Sequence, residues 1–321
     1  MRIIMEMEHW DLIIIGAGPA GLTAGLYGAR SGLKTLVLEE KISGGEVAII
    51  PVVENYPGFF EGISGRELAE KMMEHCRKVG ANINELEKVV ELDLRGEKKI
   101  VKTVIDKYRA SYTASAVIIA SGCHYTSLGV QGEEEFRGKG VSYCAVCDGA
   151  FFKGGRVLVV GGGNSAVVSA IYLANLASDV KLCHRRAQLR AEEALVKDLQ
   201  AQKVEVLWNT ELKEIKGDVK VKSVILTNNK TGETKEINVD GVFVQVGEVP
   251  NSQFAKEAGI EVDKDGYIIV DSRQRTNIEG VYAAGDVTNC PVKQIGTAVG
   301  QAIVAATEAF GYIKRPYYYK G

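Results

Sequence analysis

The apolar positions of this chain fall into short runs bounded by glycine, not into long amphipathic stripes. DLIII is followed by the turn GAGPAG, a helix-like stretch TAGLYGARSG and a second apolar run, TLVL. A short apolar run closed by glycine reads as a buried parallel strand, and the stretch after it as a helix. Asp11 to Glu40 therefore predicts a strand–turn–helix–strand unit. RVLVVGGGNSAVVSAIYLANLASDVKLCHRR, from Arg156 to Arg186, repeats that pattern: Gly16 falls on Gly161, Gly18 on Gly163, Gly21 on Ala166 and Tyr27 on Tyr172. YTASAVIIASG (112–122) predicts a strand returning to the first sheet, and EINVDGVFVQVGEVPN (236–251) its counterpart in the second. GYIIVDSRQRTNIEGVYAAGDVT (266–288) places Asp286 after an apolar strand and a glycine, and a helix-like run follows from Gly296 to Phe310.

Two GxGxx[GA] turns in register, each after an apolar strand and before a helix, are a specific signal where one alone is weak. Glycines permit the tight turn and the approach of backbone to a pyrophosphate, whose charge meets the free N–H groups of a helix start. The copies differ at the end of their second strand. The first has Glu39 and Glu40; the second has His184, Arg185 and Arg186, with Arg190 one turn later. A carboxylate there accepts from ribose hydroxyls and repels a 2′-phosphate. Arginines offer forked donors to that phosphate. The first unit is expected to hold FAD or NAD and the second NADPH; the bland alternative for HRRxxxR is a solvated basic helix start.

Composition narrows the class without naming it. The chain has 321 residues, 46% hydrophobic and 25% charged, with a net charge of −2. That suggests about two domains in an ordinary soluble protein, with no broad basic surface for nucleic acid. No apolar stretch approaches the roughly 20 residues needed to span a bilayer. The acidic start MRIIMEMEHW lacks a signal peptide's basic leader, so a cytoplasmic location is expected.

Six cysteines stand too far apart for a secreted disulfide scaffold. Cys144 and Cys147 form a CxxC in YCAVCDG, and Asp148 follows. In a reducing compartment such a pair is catalytic or metal-binding more often than structural. Zinc usually needs four ligands at characteristic spacing, which His75–Cys76 and Cys123–His124 do not supply; no metal is expected. Cys76, Cys183 and Cys290 read as small buried hydrophobes, and Cys123, in the ASGCHY stretch, as structural. For Asp148 an N-cap role competes with a chemical one.

GAGPAG, VENYPG, ASG, CAVCDG, GGGNSA, HRRxxxR and YAAGD occur in this order and at these distances, and so the chain resembles the low-molecular-weight thioredoxin reductases over about Asp11 to Phe310. The resemblance implies an α/β fold of two Rossmann-like, three-layer ββα dinucleotide-binding domains, the second inserted into the first. An FAD domain would take 1–121 and 252–321, and an NADPH domain carrying the CxxC would take 122–251. Family FAD positions fall on Gly16, Gly18, Pro19, Ala20, Gly21, Glu39, Gly45, Glu46, Asn55 and Gly122, then on Gly285, Asp286, Gln294 and Ile295. NADPH positions fall on Gly161, Gly163, Asn164, Ser165, His184, Arg185, Arg186 and Arg190.

The resemblance further implies hydride transfer from NADPH to FAD, reduction of a Cys144–Cys147 disulfide and dithiol–disulfide exchange with thioredoxin or a thioredoxin-like protein. Cys147 would face the flavin, Cys144 would attack the partner, and Asp148 would be the acid–base group. The enzyme would be a homodimer that rotates its domains between two states. Apart from the resemblance, the basic and aromatic GYIKRPYYYKG reads as a partner or membrane contact or, more blandly, as a surface tail packing on the dimer, the latter being expected. Two departures stand out: Val168 and Ser169 replace two acids usual on the second glycine helix, and Glu46 replaces a glutamine. Competing readings are the same reduction fed by ferredoxin or a deazaflavin, an FAD-dependent dithiol oxidase, and a nucleotide-binding zinc protein.

Overall fold

The computed structural model describes residues 7–50 and 52–314. The first six residues and the end of the basic–aromatic tail, 315–321, lie outside the described residues. The chain divides into two compact units, Met1–His124 with Val249–Gly321, and Tyr125–Glu248.

The first unit starts with strand β1 (Glu8–Ile15), helix α1 (Pro19–Arg30) and strand β2 (Thr35–Leu38). A single 3-10 turn, Gly45–Ile49, leads to α2 (Gly65–Lys78), whose N-cap Ser64 accepts from the Glu67 N–H. Strands β3 (Asn82–Asn84), β4 (Lys88–Asp93), β5 (Lys99–Ile105) and β6 (Tyr108–Ile119) follow. The chain crosses to the second unit through β7 (Cys123–Tyr125). There β8 (Val141–Ser142), α3 (Ala145–Asp148), β9 (Arg156–Gly161), α4 (Asn164–Ala174) and β10 (Asp179–His184) precede α5 (Glu193–Gln200) and β11 (Val204–Trp208). A hairpin layer, β12 (Thr210–Gly217), β13 (Val221–Asn228) and β14 (Thr234–Asn238), is followed by β15 (Gly241–Gln245) and the return strand β16 (Glu248–Pro250). The first unit closes with α6 (Gln253–Glu257), β17 (Val281–Ala283) and α7 (Ile295–Lys314).

Sheet order in the first unit is β3-β2-β1-β6-β5-β4, with β17 also on β6. β1, β2, β3, β6 and β17 are parallel, whereas β4 and β5 return antiparallel. β1 is apolar from Leu12 to Ile15, where both its faces are covered. Leu12 and Ile14 pack with Ala302, Ala305 and Ala306 of α7, and Ile13 and Ile15 with Leu92, Val101 and Ile268 on the other side. The second unit repeats this with an all-parallel sheet, β11-β10-β9-β15-β8. Val157 and Val159 face α4, and Leu158 and Val160 face the hairpin layer. In the second unit helices cover one face of the parallel sheet and antiparallel strands the other; in the first, α1 and α7 cover one face and β4, β5 and the short α6 the other, close to the layering that the resemblance implied.

The stretch 236–251 is not one strand. Asp240 accepts from the Arg156 N–H at 2.8 Å and pairs with its guanidinium at 3.0 Å, which turns the chain between β14 and β15. Gly241 then passes the Phe152 ring so closely that a Cβ would lie 2.4 Å from it. Only Gly241–Gln245 is the counterpart of β6. Cys76 and Cys183 are buried as expected, and burial pushes each thiol up to about 12. Cys290 is only half-buried, because it lies in the loop before α7 with its thiol on the Val292 carbonyl.

Gly25 lets α1 lie on both β2 and α2: an added Cβ would stand 2.7 Å from Cys76 Sγ and 2.8 Å from Val37 Cγ2. Gly25→Leu is therefore expected to destabilise the first unit by about 1–3 kcal/mol, overpacking outweighing the better helix propensity. The chain's two tryptophans make this measurable. In a Trp208→Phe background the buried Trp10 reports urea unfolding of the first unit alone, and an unchanged midpoint would refute the packing argument.

Candidate functional site

In the first unit the elements converge on the N-terminus of α1. Gly16 (φ +104°) has no room for a side chain, since its Cβ would lie 2.3 Å from the Ala120 carbonyl oxygen. A Cβ at Gly21 would lie 1.7 Å from Gly16 O. Gly18 is the N-cap with no side-chain cap, Pro19 follows at the first helical position, and no acid stands in the first turn. The N–H groups of Ala20 and Gly21 thus meet only backbone and open space, as an incoming phosphate requires. Gly45 comes up against Gly18, a Cβ there standing 3.2 Å from the Gly18 Cα, and Gly285 (φ +80°) against Ala20, 2.9 Å from its Cβ.

Glu39, at the end of β2, spans this turn. Its Oε2 accepts from the Ala17 N–H at 2.7 Å and its Oε1 from the Lys41 N–H at 2.9 Å. Asn55 donates to Gln294 Oε1 at 3.0 Å, which brings that loop to the start of α7 at Ile295. Lys293 donates to the Asp286 carbonyl, and the Asn251 N–H to Gly122 O. Glu46 lies exposed on the 3-10 turn. The residues fit a dinucleotide: a phosphate cradle without side chains and a carboxylate at ribose distance from it.

The second unit builds the same cradle. Gly163 caps α4 with no side-chain cap and no acid in the first turn, and a Cβ on it would meet nothing within 4 Å. A Cβ on Gly161 would strike Gln245 O at 2.3 Å. Ser165, Arg185, Arg186 and Arg190 are exposed, and the Arg190 N–H donates to Gly162 O at 2.7 Å, which ties the basic segment to the turn. Asn164 exchanges hydrogen bonds with Glu192 at 2.9 Å each way. His184 parts from the arginines. It is 5% exposed, lies beneath Gly162 and reaches Gln188 O at 3.0 Å. Burial holds its imidazole below the usual value, so it supports the turn as a neutral ring.

Cys144 and Cys147 are joined as a disulfide with Cα atoms 5.3 Å apart. Cys144 caps α3, its Sγ accepting from the Cys147 N–H at 3.2 Å. Asp148 is therefore not the N-cap of α3 but its last residue; it stands at the N-cap position of the 3-10 turn Gly149–Phe152, with no side-chain capping bond there. Its carboxylate Oδ2 accepts from Ser142 Oγ at 2.6 Å. Burial raises its pKa, and the Ser142 bond lowers it less. Among the described residues no group of three or more His, Cys, Asp or Glu is placed to hold a metal ion.

Three supports had no sequence signal beyond ordinary polar residues. Ser142 holds Asp148. Gln245, at the end of β15, donates to the Tyr143 carbonyl at 2.7 Å. Glu133, 2% exposed, accepts from Tyr143 Oη, Ser127 Oγ and the N–H groups of Leu128 and Gly129. Tyr143 also stacks on Tyr125 and lies under Arg137. The residue before the redox pair is thus fixed through side chain and backbone.

A family model described as pyridine nucleotide-disulphide oxidoreductase matches residues 10–308. The chain is 45% identical over 313 residues to the thioredoxin reductase of Bacillus subtilis (strain 168), covering 96% of each. It is 42% identical to that of Peptoclostridium acidaminophilum, covering 96% of this chain and 98% of that one. A crystal structure of thioredoxin reductase from Streptococcus pyogenes MGAS5005 superimposes with a TM-score of 0.91 at 42% identity, covering 97% of this chain and all of that one.

Glu133 makes a prediction with a definite sign. Burial alone would raise its carboxyl, but the donors from Leu128, Ser127, Tyr143 and Gly129 outweigh it and hold the pKa below the ordinary 4.5. A lowered folded pKa stabilises fully above the unfolded value and is lost as pH falls through the folded one. Glu133→Gln is expected to destabilise the second unit by about 1.5–3 kcal/mol at neutral pH. The gap between variant and wild type should narrow as pH falls below about 4.5. Urea unfolding followed by Trp208 in a Trp10→Phe background measures it, and a gap that does not change with pH would count against the carboxylate's role.

Proposed function

The chain belongs to the pyridine nucleotide-disulphide oxidoreductase family, and on that premise we propose that it reduces the disulfide of thioredoxin or a thioredoxin-like protein at the expense of NADPH. The carrying observation is that one unit joins a phosphate cradle, a CxxC disulfide and a largely buried carboxyl directly after it. FAD, when bound at the Gly16–Gly21 turn with Glu39 on its ribose, supplies the passage from a hydride to an electron pair. Arg185, Arg186 and Arg190 fit the 2′-phosphate of NADPH.

Opening the Cys144–Cys147 bond takes two electrons and leaves two sulfurs, of which at most one stays a thiolate near neutral pH. Asp148, held toward its acid form by burial, gives a proton to the other. The Cys147 N–H pointing at Cys144 Sγ favours the thiolate on Cys144. That thiolate attacks the partner disulfide. The resulting mixed disulfide is resolved by Cys147, which re-forms the internal bond and releases the reduced partner. Cys147 toward the flavin and Cys144 toward the partner are the matching assignments. We assign the homodimer by the same family reasoning. We assign a cytoplasmic setting by that reasoning too; no helix among the described residues is long and apolar enough to cross a membrane.

The first test is the visible spectrum of the oxygen-free protein with NADPH and, separately, NADH. Bleaching of a flavin band by NADPH and not NADH is the expected result. A yellow protein bleached by dithionite but by neither nucleotide would overturn the donor assignment and favour a protein or deazaflavin donor. Arg185→Ala and Arg186→Ala are each expected to raise KM for NADPH roughly tenfold, one charge-assisted bond's worth. Steady-state kinetics should find kcat and the KM for NADH nearly unchanged.

A further inference from the structure

Ser142, 5% exposed at the end of β8, stands among three groups of different kinds. The Cys144 N–H donates to its Oγ at 3.1 Å and can only donate. The Cys144 carbonyl lies 3.3 Å from the same oxygen and can only accept. Asp148 Oδ2, at 2.6 Å, accepts as a carboxylate and donates as an acid. A hydroxyl has one proton to give and two lone pairs to offer. Those three neighbours therefore satisfy it in two ways. With Asp148 ionised, the hydroxyl donates to Oδ2 and accepts from the Cys144 N–H. With Asp148 protonated, it accepts from both and turns its own proton to the Cys144 carbonyl.

We propose that Ser142 is a positioning residue that follows the protonation state of Asp148, rotating its hydroxyl between the Asp148 carboxylate and the Cys144 carbonyl while keeping the Cys144 N–H bonded. The proposal rests on the acid–base reading of Asp148 given above. In the reducing step the S–S bond breaks with the electron pair that the enzyme's own NADPH reaction supplies. One sulfur becomes a thiolate, and the other takes the Asp148 proton and becomes a thiol. Asp148 is left as a carboxylate, and the Ser142 proton swings onto it. Re-forming the disulfide against a partner returns a proton to Asp148, and the hydroxyl swings back. Neither a backbone N–H nor a backbone carbonyl does this, since each suits one state only.

Among the described residues, the elements packed on α3 and beside β8 bring no second charge to the role. The turn packed on α3, Gly149–Phe152, has no titratable side chain, β15 beside β8 has none, and α4 carries only Tyr172. Burial and the Ser142 bond are the influences on the Asp148 carboxyl. Removing the hydroxyl deprives the carboxylate of a charge-assisted donor and the acid of a weaker, neutral bond. The net effect is to raise the pH at which Asp148 ionises.

The test is the equilibrium between the Cys144–Cys147 couple of the holoenzyme and a dithiothreitol buffer, from about pH 5.5 to 9. Thiols are trapped by acid quench and counted by maleimide mass shift. The logarithm of the equilibrium constant bends where a linked group titrates, and the bend missing from Asp148→Asn belongs to Asp148. In Ser142→Ala that bend should move up by roughly one pH unit, and in Ser142→Thr it should return to its wild-type place. If Asp148→Asn keeps every bend, the acid–base reading falls and the proposal with it. If Asp148→Asn loses a bend that Ser142→Ala leaves in place, or if Ser142→Ala changes the constant by the same factor at every pH, the proposal alone is overturned.

Discussion

Each unit depends on one close approach, a helix start pressed against a strand end with no side chain between them. The distance of 1.7 Å from a Cβ at Gly21 to Gly16 O leaves no rotamer that would relieve it. A side chain there would drive α1 off β1 and the sheet out from under the cradle. In the second unit Ala166 takes the place of Gly21, and it fills the space a Gly161 Cβ would need, at 2.7 Å. Two different glycines therefore carry the same constraint. Once the approach is made, the helix N–H groups must face outward at the end of the sheet, and the end of the next strand must stand beside them. That is how Glu39 and, separately, the Arg185–Arg186 pair come to follow the end of the second strand of each repeat, with Glu39 tied back to the first turn through the Ala17 N–H.

Much of this was legible because it is local. An apolar run, a glycine turn and a helix are adjacent in sequence, so the two cradles, the CxxC and the contrast of Glu39 with HRRxxxR could be read directly. What was missed was long-range or depended on burial. Nothing in the letters of Glu133 says that four donors meet it, since those donors come from 127–129 and from Tyr143. His184 sits in the basic motif yet folds under Gly162, because the last residue of an inner strand points one way or the other with period two. The run 236–251 looked like one strand because periodicity does not register a turn imposed by Asp240 on Arg156, a residue of another strand.

The second constraint is electrostatic. An isolated carboxylate in an apolar setting is so costly that the group usually shifts its pKa and takes up a proton. Asp148 is the largely buried carboxyl directly after the CxxC, and burial is the larger influence on it. Glu133, also buried, has four donors and comes out shifted the other way. The two acids stand either side of the pair in sequence. One is fixed as a carboxylate that holds structure, and the other is kept near its acid form with a single hydroxyl as partner. Donor number separates the structural acid from the chemical one.

Val168 and Ser169 extend that argument. They stand on α4 where the family resemblance led us to expect two acids, with Val168 exposed and Ser169 buried. α4 packs on α3, so carboxylates there would add like charge near Asp148 and push its pKa higher still. Without them the helix is uncharged along its whole length. The phosphate cradle at its start is unaffected, because that depends on backbone N–H groups and on Gly163. The substitution therefore leaves the uncapped start of α4 as it is and leaves Asp148 governed by burial and by Ser142.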